Sequence, residues 1–472
     1  MLLEHIYDPD LAQGSYFIGC QVDNTAIVID PRRDIQVYLD LAEREGMEIV
    51  GVAETHIHAD YLSGTLELAK ATGAQAYVSD EGGPDWTYGD GFADAVRMKH
   101  SHEITLGNIT LKAVHTPGHT PEHMSFLVTD GAQTSEPGFM LSGDFVFVSD
   151  LGRPDLLDEA AGGVDTRFEG AQQLFDSLRD HFLTLPDYVQ VLPAHGSGSA
   201  CGRALGAVPT TTVGYERNFS WWAPYLDAND KDGFVAELLN NQPDAHSYFS
   251  RMKAQNRQGP AILGDLPELV RYTPAELKPL VEANEKILVD TRPHRQRYEA
   301  AVGGALSIPD ATKAATHIAW AYDPETEHRH LIVLASDAEQ ARQYRDHFIR
   351  VGVDALTGYT TSLDGLLSDG VPTVDVDELD TLEEHFVLDV RGADEYAAGH
   401  IPGAHRLATS RVVWNSDQLP RQRPVVVYCA SGRRAAIGAS ALRRKGFNIV
   451  ELNGDFGSWA AAQGNVAATV TG

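Results

Sequence analysis

The stretch ETHIHADYLSG, residues 54–64, decides how this chain is read. It places His56, His58 and Asp60 on alternate positions just after EIVGVA, residues 48–53, a run with the character of a buried strand. Groups able to hold a metal therefore gather where a strand ends, and α/β folds put their chemistry on such loops. Downstream, residues 62–72 predict a helix stopped by Gly73. Upstream, GSYFIGC and TAIVIDP read as paired strands around Asp23-Asn24, and residues 34–45 as a helix closed by Gly46. Further strands are expected near 109–114, 124–129 and 139–142, then a helix near 167–181, so the layout is mixed α/β.

The donors continue along the chain. HTPGHTPEH brings His115, LSGD brings Asp144, and LPAHGSG brings His195. Histidines and carboxylates on successive strand-end loops can wrap one or two metal ions. Cys201 follows closely on His195 and reads either as a small buried hydrophobe or as a functional thiol, whereas Cys20 lies in an apolar strand as core.

With 472 residues the chain is too long for one ordinary core, and several domains are expected. Its 67 acidic and 37 basic side chains give a formal charge of −30, which disfavours nucleic acid and anionic lipid as partners. No apolar run approaches the roughly 20 residues of a membrane helix. MLLEHIYDPD lacks a basic region, so no secretory signal is expected. Three cysteines cannot make a disulfide framework, which predicts a reducing, cytoplasmic setting. YERNFSWWAPYL, residues 215–226, predicts packing or an oligomer contact, and a homo-oligomer is expected. The polar segment RMKAQNRQGPAILGD, residues 251–265, reads as a linker.

An internal repeat follows. ILVDTRPHRQRYEAAVGGALSIP (287–309) aligns with VLDVRGADEYAAGHIPGAHRL (387–407), and HLIVLASDAEQA (330–341) with PVVVYCASGRRAA (424–436). Each copy is a strand ending in Asp-x-Arg, a helix, a return, then a second strand, loop and helix start; two α/β modules of about 100 residues each are expected. The predicted domains are 1–250, a linker over 251–272, then 273–370 and 373–472. Cys429 follows an apolar strand and precedes a helix, where consecutive N–H groups and the helix dipole favour a thiolate and a bound anion. The loop Cys429-Ala430-Ser431-Gly432-Arg433-Arg434 is Cys-x4-Arg, one residue short of a cysteine phosphatase cradle. In the first copy Ala335 stands in place of this cysteine.

The donor series resembles the metallo-β-lactamase superfamily, which implies an αββα sandwich over residues 1–250. In its dinuclear hydrolases the first metal takes the equivalents of His56, His58 and His115. The second takes Asp60, a histidine at the next position, and His195, with Asp144 bridging. Here the next position is Tyr61, and a phenol with an ordinary pKa of about 10 is a poor substitute for imidazole. THIHADYLSGTLELAKATGA, HTPGHTPEH and SGDFVFVSDLGRPDL look like the persulfide dioxygenase branch. That likeness implies one Fe(II) per chain on His56, His115 and Asp144, with His58, Asp60, Tyr61, His195 and Cys201 around the site. The segment around Cys201 is similar to one found in dioxygenase–sulfurtransferase fusions; its functional reading is a thiol near the substrate channel able to take up sulfane sulfur, and the resemblance assigns it no step.

Residues 373–472 resemble a rhodanese, whose loop cysteine carries a persulfide; the implied sulfane cradle is Ala430 to Arg434. The first copy resembles a degenerate rhodanese, either scaffold or docking surface. The whole implies oxidation of a low-molecular-weight thiol persulfide by O2 to sulfite, with Cys429 passing sulfur to sulfite as thiosulfate. The alternative is a dinuclear thioester hydrolase of the glyoxalase II type with an accessory rhodanese.

Overall fold

The computed structural model describes residues 1–159, 166–203 and 205–463, which leaves 160–165, 204 and 464–472 outside it. The described residues divide into two compact units.

The first unit is a four-layer sandwich. One six-stranded sheet runs in chain order: β1 (Leu2–Asp8), β2 (Gln13–Cys20), β3 (Thr25–Ile29), β4 (Glu48–Ala53), β5 (Gln75–Ser79) and β6 (Val96–Met98). The other comprises β7 (Glu103–Leu106), β8 (Ile109–His115), β9 (Met124–Asp130), β10 (Phe139–Gly143), β11 (Gln190–Pro193) and β12 (Thr211–Thr212), ordered β12-β11-β10-β9-β8-β7. Strand alternation sorts the side chains. Ile18, Ile27 and Ile29 point into the layer shared with Leu111, Phe126 and Leu141 of the facing sheet. Their neighbours Phe17, Ala26 and Val28 face outward onto Tyr38, Leu41 and Leu68 of the helices Gln36–Glu45 and Thr65–Thr72. Met140 and Val191 likewise meet Leu174, Phe175 and Phe234 of the helices Thr166–Ser177 and Lys231–Leu238. A two-residue period with both sheet faces apolar is what a strand between two layers requires. Each of the first two helices ends at a left-handed glycine, Gly46 (φ 64°) and Gly73 (φ 76°), as expected from sequence.

The segment expected as a linker is structured. Phe249–Gln258 is a helix of the first unit, which continues to Leu266. Phe249, Met252 and Asn256 fall on one face at three- and four-residue spacing, and all three are buried. In 215–226, Trp222 is core, while Tyr215 and Phe219 are exposed. No helix among the described residues is long and apolar enough to cross a membrane.

The second unit, residues 246–248 and Pro267 onward, holds the repeat. Its first module orders its strands Val270–Arg271, Leu356–Thr360, His330–Leu334, Lys286–Asp290, Leu306–Ser307. The second has the same order: Thr373–Asp375, Ile449–Asn453, Val425–Tyr428, Phe386–Asp389, His405–Arg406. All pairings in both sheets are parallel. The shared Asp-x-Arg is a fork. Arg292 grips Asp290 (Nη2–Oδ2 2.7 Å) and donates to Ala300 O, and Arg391 grips Asp389 (2.6 Å) and donates to Gly399 O.

Candidate metal centre and thiol loop

Past β4 the chain turns sharply, and the loop is held from beneath. Asp30, at the end of β3, accepts from Thr55 N and Thr55 Oγ1 at 2.7 and 2.8 Å. From the other side Asn256 donates to His58 O and Tyr61 O at 2.8 and 2.7 Å and accepts from Ser63 N.

His56, His119 and Asp144 converge here, their ligand atoms all within 4.8 Å of one another and all three residues buried. Asp144 Oδ2 lies 3.9 Å from His56 Nε2 and 3.5 Å from His119 Nε2. The far nitrogens are engaged: His119 Nδ1 donates to Arg153 O (3.1 Å), and His56 Nδ1 meets Thr55 Oγ1 (2.9 Å). That pattern leaves both Nε2 atoms facing the carboxylate, as outer hydrogen bonds orient metal-binding imidazoles. Among the described residues neither Asp144 oxygen has a hydrogen-bond partner, although the residue is wholly buried. An orphaned buried carboxylate is costly unless a cation or proton satisfies it. Burial lowers His119 to about 3 and raises Asp144 to about 6, His195 opposing the latter, so the imidazoles are neutral donors. The donor set fits one metal ion with an open face.

His115, expected as a ligand, lies outside this cluster. β8 ends at His115 with the side chain turned outward; its Nε2 donates to Pro121 O at 2.7 Å, and it lines a small surface cavity with His100 and His181. The chain then reverses at Gly118 (φ 149°), packed against Leu174, and the next residue, His119, enters the site. His123 is a further histidine that sequence reasoning missed: it accepts from Asp144 N at 3.1 Å and meets Thr116 Oγ1 through Nδ1. HTPGHTPEH offers three histidines at equal spacing, so count alone does not choose among them. The Pro-Gly turn before His119 is the signal that could have.

His58 lies beside His56 (ring centroids 4.2 Å) but is committed elsewhere, with Nε2 3.1 Å from Asp30 Oδ1. Burial opposes its charge, yet Asp30 and nearby carboxylates raise it to about 9. The Tyr61 ring packs tilted against His58, and its hydroxyl donates to Asp30 O (3.1 Å), away from the cluster. A second group of potential ligands adjoins the first: Asp60, His195 and Cys201 also lie within 4.8 Å of one another. His195 Nε2 is 3.4 Å from Asp60 Oδ2 and 3.6 Å from Asp144 Oδ1. Burial lifts the Cys201 thiol to about 11, with His195 opposing.

Ile57, next in sequence to His56, lines a cavity of about 660 Å³. Pro121, Trp86 and Leu157 line it too, with Lys253 and Arg257 from the supposed linker. Lys253 Nζ sits 3.8 Å over the Trp86 ring, and Arg257 is fixed by Thr87 O and Pro84 O.

In the second unit Cys429 is fully buried after the strand Val425–Tyr428, and Ala435 N donates to its Sγ at 3.4 Å. Gly432 (φ 80°) makes the turn into the helix Arg433–Arg444. The loop arginines are paired with carboxylates. Arg434 forks onto Glu395 (2.6 and 2.7 Å), and Arg433 meets Asp310 of the first module at 2.8 Å. In the first module Ala335 is buried at the equivalent place, and the following helix is capped by Asp337 instead of glycine.

A four-layer αββα sandwich with a histidine–carboxylate cluster past the ends of its strands, followed by two parallel α/β modules of which the second holds a buried cysteine in a strand-to-helix loop, defines the class of fold. The chain belongs to the metallo-beta-lactamase superfamily, whose family model matches residues 9–195, and it carries a rhodanese-like domain matching at 375–462. A metallo-beta-lactamase structure from Staphylococcus aureus is 33% identical, with a TM-score of 0.66 over 76% of this chain and 98% of its own. The mitochondrial persulfide dioxygenase ETHE1 of Bos taurus is 26% identical over 41% of this chain and 68% of its own. At the same identity, the probable polyketide biosynthesis zinc-dependent hydrolase PksB of Bacillus subtilis matches over 47% of this chain and 84% of its own.

Proposed function

We propose that this chain is an enzyme that oxidises the terminal sulfur of a low-molecular-weight thiol persulfide with O2, and that Cys429 passes sulfur to the resulting sulfite. One observation carries the first half: two neutral imidazoles, His56 and His119, face the orphaned carboxylate of Asp144, while His58 and Tyr61 are withdrawn to Asp30. Two histidines and one carboxylate suit Fe(II), which when bound supplies oxygen chemistry with positions left open for substrate and O2. The likeness to persulfide dioxygenases supports that choice of reaction.

The chain's own residues do the rest. The cavity accepts the carrier thiol, and Lys253 and Arg257 suit a carrier bearing carboxylate or phosphate. Ile57, next in sequence to His56, and Pro121, two residues past His119, tie its wall to the two histidines. The net change is RSSH + O2 + H2O giving RSH, hydrogensulfite and a proton. In the second step sulfite attacks the outer sulfur of a Cys429 persulfide. The sulfur–sulfur bond to the protein breaks, Cys429 leaves as thiolate beside Ala435 N–H, and thiosulfate forms. Holding both sites on one chain raises the effective concentration of sulfite at the second. Such coupling serves sulfide detoxification.

The second ligand group, Asp60, His195 and Cys201, favours a rival, a two-metal thioester hydrolase. Product analysis separates the two readings. With glutathione persulfide and O2 the wild type is expected to yield thiosulfate, and Cys429→Ser sulfite instead at an unchanged oxidation rate. Thioester cleavage with neither product would refute the dioxygenase reading.

A further inference from the structure

The module without a cysteine touches the sulfur-carrying loop of the other. His294 lies in the loop after the Asp290–Arg292 fork, and its ring is seated on Gly432 of the Cys429 loop. A Cβ on Gly432 would fall 2.8 Å from His294 Cδ2 and 3.3 Å from Cε1, so only glycine admits the ring. The contact is anchored on both sides. Asp310 pairs with Arg433 (2.8 Å), Ser307 N donates to Ser440 Oγ (3.0 Å), and Arg444 donates to Gly304 O (2.6 Å). Tyr298 stands edge-on to His294 with centroids 5.9 Å apart. Burial raises the pKa of its hydroxyl, Glu451 adding to the rise and Arg297 opposing it. The ring nitrogens of His294 take no hydrogen-bond partner among the described residues.

This arrangement bears on how an anion is received. Arg433 and Arg434 are already paired with Asp310 and Glu395. Recognition of an incoming oxyanion therefore falls to loop N–H groups and to whatever closes the loop from outside. In the second module the position matching His294 is Ala393, which cannot do this. Burial and the neighbouring Arg295, Arg297 and Arg433, against Glu451, hold His294 below its usual pKa, so it is a neutral donor at neutral pH.

We propose that His294 of the first module is a specificity-determining residue of the Cys429 site, donating to an oxygen of the acceptor oxyanion as its sulfur attacks the outer persulfide sulfur. The inference rests on the reading of Cys429 as a persulfide carrier. It gives the cysteine-less module a role: it closes the acceptor side of its neighbour's site. The bond changes are those of sulfur transfer to sulfite, and His294 neither gains nor loses a proton.

The test uses the full chain as wild type, His294→Ala and His294→Gln. Each is loaded with glutathione persulfide, and the Cys429 peptide is weighed for one added sulfur. Transfer is then followed against sulfite and against cyanide, an acceptor without oxygens. Loading is expected to match wild type in all three. For His294→Ala the KM for sulfite should rise about tenfold or more, as loss of a hydrogen bond to a charged group costs. Transfer to cyanide should change much less, and His294→Gln should recover part of the sulfite KM. An unchanged sulfite KM, or equal losses with both acceptors, overturns the proposal. Absence of added sulfur on wild-type Cys429 overturns the carrier reading itself, and the inference with it. If His294→Ala unfolds, His294→Phe, a ring without nitrogen donors, supplies the same comparison.

Discussion

At the scale of single residues, His119 and His115 differ by one turn of loop and by everything that matters for a metal. His119 Nε2 faces Asp144 from a buried position, while His115 Nε2 is capped by a backbone carbonyl at the surface. His119→Ala is expected to purify without bound iron and without O2 uptake, whereas His115→Ala should keep its metal content. Metal analysis of the two variants checks this, and the reverse result would return the third ligand to His115. Asp144 and His56 were legible because Asp144 follows a strand end directly and His56 stands three residues past one. The choice among the histidines of HTPGHTPEH was not, because the left-handed turn at Gly118 that selects His119 is a backbone event rather than a periodicity. Asp30 was equally hidden: it carries no motif, yet it binds His58, Thr55 and Tyr61 at once.

At the scale of elements, the helix Phe249–Gln258 is the part sequence reading placed wrongly. Its exposed face is polar enough to resemble a linker, and its buried face shows only as Phe249, Met252 and Asn256 at helical spacing. Asn256→Ala strips partners from two buried carbonyls and a buried N–H. A loss of about 1–3 kcal/mol in stability is expected, read by thermal or denaturant unfolding. O2 uptake should fall with it, since the loop it holds carries His58 and Asp60. In the second unit the Glu395–Arg434 fork sets a pH limit. The hydrogen bonds from Arg434 hold Glu395 below the ordinary glutamate range despite burial. Its contribution is therefore present above that range and lost as pH falls through the depressed value. Unfolding of the second unit should become easier in acid, and Glu395→Gln should flatten that dependence. The repeat was legible because Asp-x-Arg builds the same fork twice; the seating of His294 on Gly432 was not, since it joins residues more than a hundred positions apart.

At the scale of the whole molecule, the chain joins a metallo-beta-lactamase fold holding a histidine–carboxylate cluster to a rhodanese-like domain holding a buried cysteine, and the proposed reaction assigns O2 chemistry to the first and sulfur transfer to the second. The composition limits partners without naming the reaction: a formal charge of −30 predicts no measurable retention on DNA at moderate salt. What separates this account from its rival is whether oxygen is consumed. The decisive measurement is O2 uptake by the iron-loaded chain given glutathione persulfide or coenzyme A persulfide, with metal content determined on the same sample. The account predicts uptake with about one iron per chain, as expected of a single two-histidine, one-carboxylate site. No uptake with either persulfide, together with two bound metals at His56, His119, Asp144 and at Asp60, His195, Cys201 and cleavage of thioesters, would contradict it.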